Sequence, residues 1–490
     1  MSGALEPARA SSVPVREGAA PLPLVVDMDG TLIATDVLGE GIVAGLFAKP
    51  LSTLGAFTRL LGGRAPFKRR IAEIDAADID VAPLRPAVVD WLRAQKAAGR
   101  AIHLVSAADE TVARRVADRV GVFDSVQGSC GAINLKSARK ADALRERFPE
   151  GYVYAGDSGA DLPVWKDAAG IVMVGARPAV ARRARALGLP VEKEFDVPDA
   201  SLNDWRRALR LHQWAKNLLV FVPLMLSGQY RDPAAIVAAV LAFSLLSIAA
   251  SGTYLLNDLA DLGADRRHRT KHRRPLAAGV IPVQQGAIAA LGMIAGALVV
   301  AISLAPPLAA VLVAYLIVTL AYSFRFKRTP FLDVFLLGAL YTMRLVVGVV
   351  ALNSVVSAWL LSFSMMFFFS MSLAKRHVEV AAAPPGAIAG RGYRGEDAPL
   401  TLVFGVASTV GSVLIMITYL MEEAFPSGLY SAPVWLWAAP ALVSLWTMRI
   451  WLLAHRGELD DDPVAFAVRD RPSLVMGAVL VVAFALAIVM

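Results

Sequence analysis

The chain has 490 residues, of which 56% are apolar and 18% charged, with a formal net charge of +8 at pH 7. Globular domains average about 45–50% apolar and about 25% charged residues, so an ordinary soluble protein is excluded. In residues 201–490, 23 Lys+Arg stand against 16 Asp+Glu, gathered into short clusters between uncharged runs; this pattern assigns the cations to loops flanking membrane spans and excludes a nucleic-acid partner.

Residues 1–20 have no apolar core and read as a disordered lead rather than a signal peptide. Short apolar runs at 22–26, 101–105, 152–155 and 171–174 read as buried strands, and 86–99 and 109–120 carry helix-spaced apolar positions. Strand alternating with helix implies a parallel α/β sheet with functional loops at the strand C-termini. Residues 37–80 interrupt the alternation with helical material and read as a cap. Its stretch 41–61 is unusually apolar, which suits either a small cap over a modest phosphate ester or a surface that touches the membrane part. The soluble domain is expected over 21–197. A linker at 198–215 carries Ser201-Leu202-Asn203-Asp204, a capping-box pattern, and Leu202, Trp205 and Leu209 share a face opposite Arg206, Arg207 and Arg210, as in an interfacial amphipathic helix. The single cysteine, Cys130, permits no intrachain disulfide and no Cys-based zinc site.

Asp27-Met28-Asp29-Gly30-Thr31-Leu32 follows the first strand and places two carboxylates on a loop at the sheet edge. Ser106 ends the next apolar strand, Lys136 and Lys140 follow, and Gly156-Asp157-Ser158-Gly159-Ala160-Asp161 follows a third. With these four motifs, residues 21–197 resemble the haloacid dehalogenase superfamily of phosphohydrolases. The resemblance implies Asp27 as nucleophile and Asp29 as acid/base. It also implies Ser106 and Lys140 (or Lys136) on the phosphoryl group, Asp27 and Asp157 on Mg²⁺, and Asp161 in support.

Residues 216–490 read as an all-helical membrane bundle of about nine spans, near 216–229, 235–257, 284–304, 307–324, 330–351, 356–374, 399–420, 433–454 and 472–490, a crossing needing ~20 residues. The loops 258–283, 325–329, 375–398 and 455–471 hold sixteen basic residues and the opposite side only Arg231. The positive-inside rule therefore places these loops and the soluble domain on the cytoplasmic side of a bacterial inner membrane, with Met490 outside.

Asn257-Asp258-Leu259-Ala260-Asp261-Leu262-Gly263-Ala264-Asp265 ends the second expected span, and spacings of three and four bring Asp258, Asp261 and Asp265 onto one face if the helix continues. Arg266, Arg267, Arg269, Lys271, Arg273 and Arg274 follow at once. Acids for a metal beside cations for phosphate suit a diphosphate. Arg266, Arg267 and Arg269 read as topological charges. Asp333 and Arg344 lie eleven residues apart in one span and read as a pair on one face, facing a polar cavity.

These features resemble the UbiA superfamily of intramembrane prenyltransferases, with N-D-x-x-D-x-x-x-D as its first aspartate motif. Leu336 and Leu337 stand where a second acid would follow Asp333, and Lys327 precedes it. Together with Gln213-Trp214-Ala215-Lys216-Asn217-Leu218, Thr270-Lys271-His272-Arg273-Arg274-Pro275-Leu276 and Lys375-Arg376, this resembles the decaprenyl-phosphate phosphoribosyltransferase branch. The branch implies phosphoribosyl diphosphate as donor and a polyprenyl phosphate as acceptor. Asn257, Asp258, Asp261 and Asp265 would hold Mg²⁺ and diphosphate. Lys216, Lys271, Arg274, Lys327, Lys375 and Arg376, with Asp333 and Arg344, are candidates for substrate binding. A fused phosphatase would then remove the 5-phosphate. The alternatives are a prenyl transfer from a polyprenyl diphosphate to an aromatic acceptor, and a non-enzymatic carrier of polyprenyl phosphates.

Overall fold

A computed structural model describes residues 21–131, 133–388, 391–459 and 463–490; the lead expected at 1–20 lies outside the described residues. Six strands form one sheet: β1 (Leu24–Val26), β2 (Ile102–Asp109), β3 (Ser125–Ser129), β4 (Val153–Gly156), β5 (Gly170–Val174) and β6 (Val191–Phe195). Their order is β3-β2-β1-β4-β5-β6 and each neighbouring pair is parallel. Strand periodicity divides β1 between two cores. Leu24 and Val26 join Leu92, Val112 and Val116 on one face, and Val25 joins Leu144, Tyr154 and Trp165 on the other. The four apolar runs are the inner strands. β3 and β6 are the edges, and β6 exposes Glu192, Lys193 and Glu194, a common way of keeping an edge from pairing further. Because β1 has β2 on one side and β4 on the other, the crevice at the C-terminal ends of these strands opens directly after β1, where Asp27 stands.

The cap consists of helices Val37–Ala48, Pro50–Ala56 and Arg64–Ile74 with 3-10 turns at Phe57–Gly62 and Ile79–Val81. Its first helix starts where Asp36 accepts the backbone N–H groups of Leu38 (2.9 Å) and Gly39 (3.2 Å).

Among the described residues eight helices are long and apolar enough to cross a membrane: Pro233–Ala260, Val283–Leu304, Pro306–Phe324, Leu332–Ala351, Ala358–Ala381, Gly395–Ala424, Pro433–His455 and Arg471–Val489. The ninth expected span, 216–229, is instead a 3-10 helix (Leu211–Phe221), a five-residue α-helix (Val222–Leu226) and a second 3-10 turn (Gln229–Arg231). Pro223 and Gly228, the latter at φ 72°, interrupt it, and it presents Lys216 and Asn217 inward instead of a continuous apolar surface. The expected interfacial helix is likewise short, Leu202–Ala208; its capping box forms, and it stops at Arg210 in the left-handed region (φ 52°).

Two compact units result. One comprises the residues through Leu209 together with Tyr254–Ala290, the other Arg210–Thr253 with Leu291–Met490. In the second unit small residues let helices approach closely. A Cβ on Gly405 would fall 2.0 Å from the Trp451 ring, whose Nε1 donates to Ser370 Oγ at 3.1 Å.

Candidate functional site

The first centre is built at the β1 crevice. Asp27 accepts from Lys140 Nζ at 2.8 Å, and the same ammonium donates to Tyr154 Oη at 2.8 Å. Tyr154 in turn donates to Asp161 Oδ1 at 3.0 Å, and Asp161 Oδ2 accepts the backbone N–H groups of Asp157 (3.2 Å) and Ser158 (3.0 Å). Ligand oxygens of Asp27, Asp157 and Asp161 all lie within 4.8 Å of one another. Gly30, at φ +77°, is required here, because a Cβ would fall 2.3 Å from Asp157 Oδ2. Asp29 Oδ1 accepts Val37 N–H at 3.1 Å, which ties the second carboxylate to the start of the cap.

Burial raises the Asp27 carboxyl above its ordinary value despite Lys140, and Asp161 adds to the rise. Burial, then Asp36 and Asp27, hold Asp29 well above the carboxylate range. Asp157 is pushed up to about 8 by burial, then by Asp27 and Asp161. Carboxylates that resist ionising together in this way are a donor set suited to a divalent cation. They face a cavity of about 880 Å³ whose wall also includes Lys68, Arg85, Lys136 and Lys140, and, from further along the chain, Gly279, Gln284 and Gln285.

Ser106 is fully buried, its Oγ accepting Ala108 N–H at 3.1 Å, and the cavity is lined by Ala107 and Ala108 instead. Lys68 and Arg85 were not among the expected residues. Lys68 reaches from the cap to donate to Ala107 O (2.5 Å) and Asn134 Oδ1 (2.8 Å), and Arg85 Nε donates to Gly30 O at 2.8 Å. No local motif marks either one; their place follows from the cap folding back over the sheet. Tyr154 was hidden for another reason, since it sits inside an apolar strand.

The second centre lies at the end of helix Pro233–Ala260. The helix breaks at Asp261 and resumes as Leu262–Arg267, yet Asp265 N–H still donates to Asp261 O at 2.8 Å, so the chain keeps its turn. Asp258 and Asp265 are buried and share Arg274, whose Nη1 is 3.0 Å from one and 2.6 Å from the other. Asn257 Nδ2 donates to Asp261 Oδ2 at 3.3 Å. Lys271 is exposed.

Two of the cations read as topological have specific partners. Arg266 forms a buried, two-pronged pair with Glu40 of the cap (2.8 and 2.5 Å) and donates to Ala277 O at 3.0 Å. Arg267 pairs with Asp78. Glu40 also accepts Thr35 Oγ1 at 2.5 Å, and Gln284 Nε2 donates to Asp36 Oδ2 at 3.0 Å. Residues 254–290 thus pack on the cap, at Glu40 and Asp78, and on its N-cap residue Asp36, as part of the same compact unit.

The third set belongs to the second unit, and there the expected Asp333–Arg344 pair does not form. Asp333, fully buried, pairs with Arg376 Nη2 at 2.7 Å and accepts Tyr393 Oη at 2.8 Å. Arg376 also pairs with Glu379. Arg344 instead donates to Asn217 Oδ1 (2.8 Å) and Leu340 O (2.5 Å), and lies 5.0 Å from the Tyr341 ring centroid, over which Lys216 also sits at 5.5 Å. Side chains from helix 358–381 and loop 391–395 reach Asp333 before Arg344, three turns along its own helix, can. Lys327 and Lys375 are half-buried.

Residues 218–488 match the UbiA prenyltransferase family. The chain is 44% identical to the uncharacterized protein y4nM of Sinorhizobium fredii over 95% of this chain and 91% of that protein. It is 38% identical to decaprenyl-phosphate phosphoribosyltransferase of Mycobacterium tuberculosis over 36% of this chain, spanning 60% of that enzyme's length. Among solved structures it is similar to a phosphoserine phosphatase in apo form, at 15% identity and a TM-score of 0.27, covering 39% of this chain and 98% of that one.

Proposed function

The chain belongs to the UbiA prenyltransferase family, and from that premise we propose that its membrane part transfers 5-phosphoribose from phosphoribosyl diphosphate to a polyprenyl phosphate, and that its α/β part removes the 5-phosphate from the product. It is a multi-pass membrane protein of a transferase family, so a lipid substrate is at hand. The observation that carries the finer reading is the treatment of the acids. Asp258 and Asp265 converge on a cation, Arg274, whereas Asp333 sits between Arg376 and Tyr393, with Leu336 and Leu337 where its own helix could carry a further acid and Glu379 reached only through Arg376. The Asp258–Asp265 cluster suits a metal-bound diphosphate, and the cations and phenol around Asp333 suit a phosphorylated group more than a second metal.

In the transferase centre Asp258, Asp261 and Asp265, with Asn257, would hold Mg²⁺, which neutralises the diphosphate as it leaves. Arg274 exchanges its carboxylate partners for diphosphate oxygens. The C1–O bond of the ribose breaks with its electron pair leaving on diphosphate, and a lipid phosphate oxygen forms the new bond to the electron-poor C1. Within the second unit taken by itself, Lys216 and Arg344, held by the Tyr341 face and Asn217, are cations suited to an anionic group.

In the phosphatase centre Asp27, Asp157 and Asp161 would hold Mg²⁺, which screens the phosphoryl charge. Asp27 attacks phosphorus, forming an aspartyl-phosphate, while Asp29, whose carboxyl burial holds well above the carboxylate range, gives a proton to the departing alcohol oxygen. As a carboxylate, Asp29 then takes a proton from the water that hydrolyses the aspartyl-phosphate. Lys140 holds Asp27 in line and Asp161 holds the Asp157 loop.

For the topology we propose that the α/β part lies on the cytoplasmic side and Met490 outside, with the broken segment 211–231 making a ninth crossing; the cations of the loops support this, and cysteine labelling from either side of sealed vesicles tests it. For the chemistry, the full chain in detergent with Mg²⁺, labelled phosphoribosyl diphosphate and a polyprenyl phosphate is expected to yield a lipid-linked ribose. Asp258→Asn abolishes it, and Asp27→Asn leaves the product with its 5-phosphate. The description of the matched family favours a second reading, transfer of a prenyl chain to an aromatic acceptor. Consumption of a polyprenyl diphosphate with no labelled ribolipid would decide for it.

A further inference from the structure

We propose that the tip of the cap is a bilayer-contacting surface. The cap needs only its inner face to hold together: Ala56, Phe67, Ile71 and Ile74 form its core, with Leu38 and Ile42 packed on them. The outer face carries Leu46, Leu51, Leu54, Phe57, Leu60 and Leu61, all exposed, Leu51 at 84% and Leu61 at 95%. Six large apolar side chains exposed within residues 46–61, on three successive helical pieces, are of the kind that marks a contact surface, even with the Phe57 ring leaning on Phe67 at 5.1 Å.

Charge selects the partner. Residues 46–64 hold three cations and no acid: Arg59 and Arg64 are exposed, and Lys49, exposed along its stem, donates to Ile74 O at 2.8 Å. Leu and Phe at the tip, ringed by Lys and Arg, match the interface of an anionic bilayer, with apolar groups among the acyl chains and cations at the headgroup phosphates. A second copy of the same patch fits poorly, because a two-fold contact would set these cations against each other. A bilayer is also always within reach, since the chain carries eight membrane-crossing helices.

The consequence for substrate rests on the proposed phosphatase reading. Helix Val37–Ala48 runs from the cavity, where Asp36 and Leu38 form part of the wall, to Leu46 at the outer patch. A tip seated among headgroups therefore holds the cavity near the plane where a phosphate ester on a lipid presents itself, and favours that substrate over a soluble one.

The contact is tested without reference to catalysis. The full chain with Cys130→Ser and one cysteine, Leu51→Cys, Leu61→Cys or, as a reference on an exposed helix of the α/β part, Asp90→Cys, is labelled with a fluorophore. It is then reconstituted into phosphatidylcholine–phosphatidylglycerol vesicles. Labels at 51 and 61 are expected to be quenched by nitroxide lipids roughly threefold or more over the label at 90, and shielded from iodide, with shallower immersion in Arg59→Gln/Arg64→Gln. Labels at both positions as open to iodide as the one at 90 would overturn the proposal. So would shielding from both quenchers, which would mean a protein partner or a second copy. Failure of the phosphatase reading would leave these quenching results unchanged and remove only the preference for lipid-linked esters.

Discussion

Asp157 shows how a single side chain reports on the ion it would hold. Folded, it keeps its proton up to about pH 8, against an ordinary value of 3.8. Between those two values the folded state binds more protons than the unfolded one, so stability falls as pH rises through that window. A divalent cation displaces the proton. Mg²⁺ binding at neutral pH is therefore expected to release about one proton, measurable by calorimetry in buffers of different ionisation enthalpy, and Asp157→Asn removes that release. The thermal shift given by Mg²⁺ should be larger near about pH 8 than near about pH 5. Asp333 poses the opposite case, a fully buried carboxylate already matched by Arg376. Arg376→Leu is expected to cost about 3–5 kcal/mol in denaturant or thermal unfolding, and the double change Arg376→Leu/Asp333→Leu to recover most of it, because the charge left alone is what destabilises.

At the scale of elements, the turn after β1 depends on Gly30. Gly30→Ala adds both a strained φ and a collision with Asp157, so phosphomonoesterase activity is expected to fall by roughly a hundredfold, read in a soluble-ester assay with the helical content unchanged by circular dichroism. Asp36→Ala removes two donors' acceptor at the start of the cap helix and is expected to cost about 1 kcal/mol. What was legible follows the same physics. The inner strands are bare apolar runs and announce themselves, whereas β3 and β6, as edges, carry the polar residues that edges require. The eight long helices stand out by hydropathy, but an apolar average over 216–229 says nothing of Pro223 or of a polar inward face. The motif residues Asp27, Asp29, Lys140, Asp157 and Asp161 line one cavity, as the resemblance carried by their motifs implies. Ser106, fully buried with its Oγ turned to the N–H of Ala108 two residues on, and Arg344, which finds Asn217 in a segment far away in sequence, do not go where the sequence suggests.

At the scale of the molecule, the α/β unit is discontinuous in sequence, taking its last piece from Tyr254–Ala290. The pair between Glu40 and Arg266 is its clasp, with side chains only 2% and 5% exposed. Glu40→Gln leaves the guanidinium buried without its counter-charge and is expected to destabilise this unit by about 3–5 kcal/mol. The measurement is the loss of protection against proteolysis within residues 21–209 of the full chain. The clasp also has a consequence for synthesis. As the chain emerges from the ribosome, residues 21–209 come first and lack both the partner of Glu40 and the cavity wall at 279–285. Those parts arrive only after helix Pro233–Ala260 has been made. A nascent chain whose first long helix has not been threaded into the membrane would thus carry an open, incompletely clasped α/β unit, and acquisition of the proposed phosphatase activity is expected to mark successful insertion.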